Sequence, residues 1–226
     1  MKYVKILGLS ALMAAALMSL AGTASATVLC AAEPANGNPA TKGTVCPTNF
    51  AYISGAEIHA VLETGEHATF TEAGGKTYVT CKKSTLTTAL EGEGSATETV
   101  KSKNSTWTFE DCTSGTEMCT VTVVKPGTLE VHWTTDSFHG TLTSSGTEIT
   151  FECESIFGDI HCIYTTSSTD LGTLTGGVMT ENRATIDVAS ANFGIVTTNE
   201  LCPKEVKLDA KYEVTSPKPL YVAAHT

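Results

Sequence analysis

Hydrophobic residues recur at every second position through most of this chain. Ala56, Ile58, Ala60 and Leu62 share one face of an extended segment, and Glu57, His59 and Glu63 take the other. Trp107 and Phe109 alternate with Thr106, Thr108 and Glu110. Ile149, Phe151 and Cys153 alternate with Glu148, Thr150, Glu152 and Glu154. The clearest run is Val206, Leu208, Ala210, Tyr212 and Val214 against Glu205, Lys207, Asp209, Lys211 and Glu213. A period of two marks strands with one buried face and one wet face. Turn signals separate the runs at Ala73-Gly74-Gly75, Ser114-Gly115, Pro126-Gly127, Ser144-Ser145-Gly146 and Gly176-Gly177. After residue 26 no window carries apolar residues at the helical period. Ten or more short strands of this kind predict an all-β fold: an antiparallel β-sandwich, immunoglobulin-like or jelly-roll-like, with a barrel as the other way to close the layers. The theme Gly-Thr-Leu at 127–129, 140–142 and 172–174 reads as hairpin grammar, since its spacing is too irregular for a solenoid.

The N-terminus breaks the pattern. Lys2 and Lys5 precede an apolar stretch from Ile6 to Leu20, and Ala24-Ser25-Ala26 has small residues at both cleavage-site positions. This predicts a secretory signal peptide over 1–26 and a mature start at Thr27. Leu20-Ala21-Gly22-Thr23 is like a lipoprotein box with Thr where the lipidated Cys would stand, so no lipid anchor is expected. Residues 27–48 carry the Pro/Gly-rich run Glu33–Pro39 and are expected to be loop. Residues 49–226 are expected to form one β domain. No later stretch reaches the ~18 apolar residues of a membrane helix.

Composition agrees with export of a β protein. The chain has 226 residues, a net charge of −10 and only 17% charged side chains. It holds 39 Thr and 17 Ser, and β-branched Thr favours strands. The acidic balance excludes a nucleic-acid footprint. All eight cysteines follow the cleavage site, which predicts four disulfides in an oxidising compartment. A zinc site is disfavoured, because no Cys-x-x-Cys occurs. Proximity across turns suggests Cys30–Cys46, Cys112–Cys119 and Cys153–Cys162, which leaves Cys81–Cys202. The main competing division joins Cys81 to Cys112 and Cys119 to Cys202.

Catalytic signatures fail one after another. Gly74-Gly75-Lys76-Thr77 ends like a phosphate loop, but Phe70 stands where its first glycine belongs. Gly92-Glu93-Gly94 lacks the third glycine of a dinucleotide fingerprint, where Thr97 stands. No Gly-x-Ser-x-Gly elbow follows the leader, and no His-Glu-x-x-His occurs. No cofactor is therefore expected. Three constellations remain. Glu148, Glu152 and Glu154 form an acidic stripe that could support acid–base chemistry on a sugar, although a solvated strand face explains it as well. His132, His139 and His161 with Asp136 could begin a metal site, against a reading as solvated histidines. Trp107, Trp133, Tyr164, Tyr212 and Tyr221 could stack sugars, yet their apolar neighbours mark them as core.

Leu201-Cys202-Pro203 and the stretch from Tyr212 to Val222, with Cys81, Cys119–Val123 and the Cys153/Cys162 pair, resemble a group of uncharacterised exported, Thr-rich β proteins of soil actinobacteria. The resemblance implies an exported β-rich fold and supplies no catalytic residues. The expected function is a secreted, non-enzymatic β module with a binding or structural role, its partner an extracellular protein or glycan. The alternative is a secreted carbohydrate-active hydrolase using the stripe's carboxylates.

Overall fold

The computed structural model describes residues 27–32, 45–47, 49–94, 98–134, 139–154, 159–177, 183–197 and 199–224. Residues 1–26, where a signal peptide is expected, lie outside the described residues. The fold is all-β and antiparallel, and four disulfides cross-link it. Four strands run long and unbroken: β4 (Thr77–Leu90), β5 (Val100–Ser114), β12 (Thr185–Ile195) and β13 (Glu205–Ser216). Eight shorter strands lie end to end in pairs: β2 (Glu57–Leu62) with β3 (Ala68–Glu72), β6 (Glu117–Lys125) with β7 (Thr128–Trp133), β8 (His139–Ser145) with β9 (Glu148–Cys153), and β10 (Ile160–Thr165) with β11 (Thr169–Thr175). In each pair both members are antiparallel to the same neighbours, so the chain keeps its direction across the joint.

The twelve strands therefore act as eight staves in simple up-and-down order, each bonded to the next along the chain. The last, β13, bonds back to β2 and β3 and closes the ring. Opposite walls face each other across a packed interior, as in a sandwich, but the hydrogen bonding continues round both sides and leaves no edge. Closure removes the unpaired edge groups that invite aggregation. Each stave pairs with the one that follows it in the chain, a meander order without the crossovers that immunoglobulin-like or jelly-roll order requires.

Two expected turns prove to be joints rather than reversals. At Pro126-Gly127 and Ser145-Gly146 the stave jogs and carries on. Gly127 adopts a φ of +65° at the first joint, and a Cβ there would lie 2.4 Å from the Ser145 carbonyl oxygen. The side chains of the joints knot together inside the wall. Ser144 Oγ lies 2.7 Å from Thr147 Oγ1 and 3.2 Å from Thr166 Oγ1, while Thr147 Oγ1 donates to the Pro126 carbonyl at 2.7 Å. Here three staves change strand at one level, and these hydroxyls satisfy groups that the interrupted ladder would leave unpaired. The long staves carry bulges of their own, at Asp111 (φ 53°) and Ser190 (φ 54°), beside register shifts in β5–β6 and β12–β13.

The waist divides the interior into two halves. The lower half is aromatic. Phe70 meets Phe151 edge-on at 4.8 Å, Phe109 at 5.3 Å and Phe193 at 6.5 Å, and Phe151 also packs on Tyr78 and Tyr164. Such edge-to-face pairs add to the burial of apolar area. The upper half is aliphatic, built from Ile58, Leu86, Leu90, Leu129, Val131, Leu142, Leu174 and Ile186 around a cavity of about 30 Å³. Between the halves, Tyr212 is fully buried. Its hydroxyl accepts from Trp107 Nε1 at 2.9 Å and lies 2.8 Å from Ser84 Oγ. Burial pushes the Tyr212 phenol up to about 12, against the two hydrogen bonds, which lower it.

Each mouth is closed differently. The upper one is plugged by a ribbon in which β1 (Val28–Cys30) pairs with β14 (Tyr221–Ala223). Leu29 and Val222 join the core, and Thr27 Oγ1 accepts from the Trp133 amide at 2.9 Å. The Cys30–Cys46 bridge ties the ribbon to residues beside it. Among the described residues no ribbon of this kind covers the lower mouth, which carries the other three disulfides.

Candidate functional site

The acidic stripe follows from β9's alternation. Phe151 and Cys153 fill the interior, so Glu148 and Glu152 must point out, and Glu154 follows just past the strand end. Their surroundings differ. Glu148 lies at the joint, and its Oε2 takes a 2.7 Å hydrogen bond from Lys125 Nζ on β6. Glu152 stands four residues further on, ~13 Å along the strand, with His161 Nε2 3.8 Å from its Oε1. Glu152 and Glu154 share a surface groove of about 460 Å³ with Asp159, His161, Met118 and Ile160, floored by Cys119 and Cys153. Among the described residues, no Phe, Tyr or Trp side chain lines this groove. The structure thus brings two of the three expected carboxylates together and leaves Glu148 neutralised elsewhere. Thr150, expected on the wet face, is buried: its partners on the flanking strands are Thr122 and Ile163.

The histidines do not converge. His132 sits in the upper half, 3.8 Å from Glu130 and 3.5 Å from Thr143 Oγ1, while His161 belongs to the lower groove. Asp136 lies outside the described residues. Among the described residues no group of three His, Cys, Asp or Glu is arranged to hold a metal. The aromatic set lies inward as core: Trp107, Tyr164, Tyr212 and Tyr221 are buried and Trp133 is partly so. Tyr164 donates to the Pro203 carbonyl at 2.9 Å, and burial raises its phenol far above the ordinary range.

All eight cysteines are bridged. Cys30–Cys46 is as expected, with the Cα atoms 5.7 Å apart. The other expected bridges, Cys112–Cys119, Cys153–Cys162 and Cys81–Cys202, are replaced by Cys81–Cys112, Cys119–Cys153 and Cys162–Cys202. The reason is register. Cys112 and Cys119 do face each other across the β5–β6 hairpin, but Cys81 faces Cys112 from the other side and Cys153 faces Cys119. Four cysteines in a row can all be bonded only as two outer pairs. A middle bond would strand Cys81 and Cys153 three strand spacings, ~14 Å, apart. Cys162 faces Phe151 rather than Cys153, and its bond goes to Cys202 beyond β12.

Met118 and Asp159 were not singled out by the sequence. Met118 is 61% exposed on the outer face of β6, next to Cys119. Its sequence signal is a large apolar residue on the face it shares with Thr120, Thr122 and Val124.

Compared with known proteins, the chain matches no family model, no curated protein and no solved structure. The candidate site is therefore defined by this chain's own geometry. Among the described residues no helix is long and apolar enough to cross a membrane.

Proposed function

We propose that the protein is an exported, non-catalytic β module with a binding or structural role in the cell envelope or medium. One observation carries this reading: a closed barrel, edge-free and cross-linked by four disulfides, with its interior filled by its own side chains. Disulfides of this density suit an oxidising compartment. A filled interior leaves recognition to the outer faces and the mouths. Those faces carry Glu57, His59, Lys83, Glu110 and many threonines, the opposite of the apolar outer band of a membrane barrel. An extracellular protein or glycan is the partner class that such a polar surface fits, and the leader-like residues 1–26 and the likeness to exported Thr-rich proteins point the same way.

The hydrolase alternative draws on Glu152, Glu154 and Asp159 sharing one groove. Against it, sugar sites pair their carboxylates over an aromatic floor, and the described lining of this groove has Met118 and Ile160 instead. Two measurements test the proposal. N-terminal sequencing of protein from the culture medium is expected to read from Thr27; a start at Met1 in retained protein overturns export. Assay on chromogenic glycosides is expected to give no turnover. Turnover that disappears in both Glu152→Gln and Glu154→Gln overturns the non-catalytic reading.

A further inference from the structure

Cys81, Cys112, Cys119 and Cys153 lie on four neighbouring staves in one row. Two of the three contacts along it are bonded, with Cα separations of 3.9 and 4.1 Å. The middle contact, Cys112 to Cys119, is in register and unbonded. Directly opposite residues of an antiparallel pair have Cα atoms ~4.5–5.5 Å apart, within bridging range. The row therefore holds an alternative bond already aligned.

We propose that this row is a thiol-exchange relay, entered at the groove over Cys119–Cys153 by a small uncharged dithiol. The inference stands on register and exposure, and does not depend on the function proposed above. The entry point is set by access. Cys119 and Cys153 line the groove and keep 7% and 5% of their residue surface exposed, whereas Cys81 and Cys112 do not line it and keep 0% and 2%. Glu152, Glu154 and Asp159 ring the opening and repel anionic thiols.

A thiolate of the dithiol attacks Cys153 Sγ, the Cys119–Cys153 bond breaks and Cys119 leaves as thiolate. The second thiol of the reagent closes the reagent's own disulfide and expels Cys153, which takes a proton. Cys119 thiolate then attacks Cys112 Sγ, forming Cys112–Cys119 and expelling Cys81, which takes the second proton. The dithiol is oxidised to a cyclic disulfide. The protein exchanges two bridges for one and carries thiols at Cys81 and Cys153. Attack on Cys119 instead frees Cys153, which faces Ile160 on its other side and has no further disulfide to reach. A reductive event at the lower mouth is thus passed along the wall to β4, and the staples β4–β5 and β6–β9 give way to a single one within the β5–β6 hairpin.

The full chain treated with limiting dithiothreitol, quenched with acid, alkylated and mapped without reduction tests this. A Cys112–Cys119 peptide is expected, with Cys81 and Cys153 alkylated in equal yield. Alkylation of Cys119 and Cys153 with Cys81–Cys112 retained overturns the relay. The Cys153→Ser variant gives an independent check. Its unpaired Cys119 is expected to yield both Cys81–Cys112 and Cys112–Cys119 peptides, interconverting faster as the pH is raised; Cys81–Cys112 alone overturns the proposal. Should this variant not fold, the wild-type map decides.

Discussion

The two halves of the barrel use the same eight staves and fill them differently. Below the waist six aromatic rings interlock and three disulfides tie neighbouring walls. Above it the lining is aliphatic, a small cavity persists, and closure is left to a six-residue ribbon with one disulfide. An eight-stranded barrel is just wide enough for side chains to fill. Rings reach the axis from opposite walls and leucines do not quite, so cross-linking and dense packing coincide in one half. The difference teaches that barrel closure sets the topology while side-chain reach sets where the structure is rigid.

Truncations in the two cores give the sharpest test. Phe70→Ala, which removes the hub of the lower cluster, is expected to cost ~4 kcal/mol. Leu142→Ala, beside the existing cavity, is expected to cost ~3 kcal/mol. Denaturant midpoints in the reverse order would break the comparison.

Replacing Cys30 and Cys46 by Ser together is expected to cost up to ~3 kcal/mol by loop entropy. Amide exchange should then accelerate in β1 and β14 while β3, β6 and β9 keep their protection. Uniform loss of protection would show that the mouth and the lower half are not separable.

Alkaline pH probes the waist between them. Because the Tyr212 phenol titrates at about 12 in the folded state and near 10 unfolded, its contribution is complete below pH 10. It is lost as the pH rises through 12, a change of about 2–3 kcal/mol. Tyr212→Phe should flatten that part of the pH–stability profile. An unchanged alkaline slope would mean that Tyr212 is solvated.

The outer faces should not distinguish the halves. Lys83→Ala breaks an exposed 3.0 Å pair with Asp111 below, and Lys101→Ala a 3.5 Å pair between an exposed lysine and the half-buried Glu130 above. Each is expected to shift stability by less than ~0.5 kcal/mol.

The alternation of residues 205–214 and 148–153 foretold both the strands and the side each residue faces, because period two is local. Thr150 departs from it since neighbours on other strands decide its burial. Pro126-Gly127 and Ser145-Gly146 carry turn chemistry, and nothing local tells a reversal from a jog: the difference lies in whether the next strand bonds to the same neighbours. The cysteines teach the same lesson. The Cys112–Cys119 facing was readable from hairpin length, but the bonds depend on Cys81 and Cys153, which reach that row only through the register of two further strand pairs. Within the groove, Glu152, Glu154 and His161 stood out as charged positions; Met118 and Asp159 join them through pairing that no local pattern encodes.

The ribbon at the upper mouth also fixes how the molecule answers tension. Val28 pairs with Ala223 and Cys30 with Tyr221, so the chain enters and leaves at the same end of an antiparallel pair. Force applied at Thr27 and Ala224 would load these hydrogen bonds one at a time, as in opening a zip, instead of all together in shear. The ribbon would peel away at low load. The staves beyond it, locked round a closed ring, would bear the pull only afterwards, so a molecule tethered by both ends would open at its upper mouth before the aromatic half felt any strain.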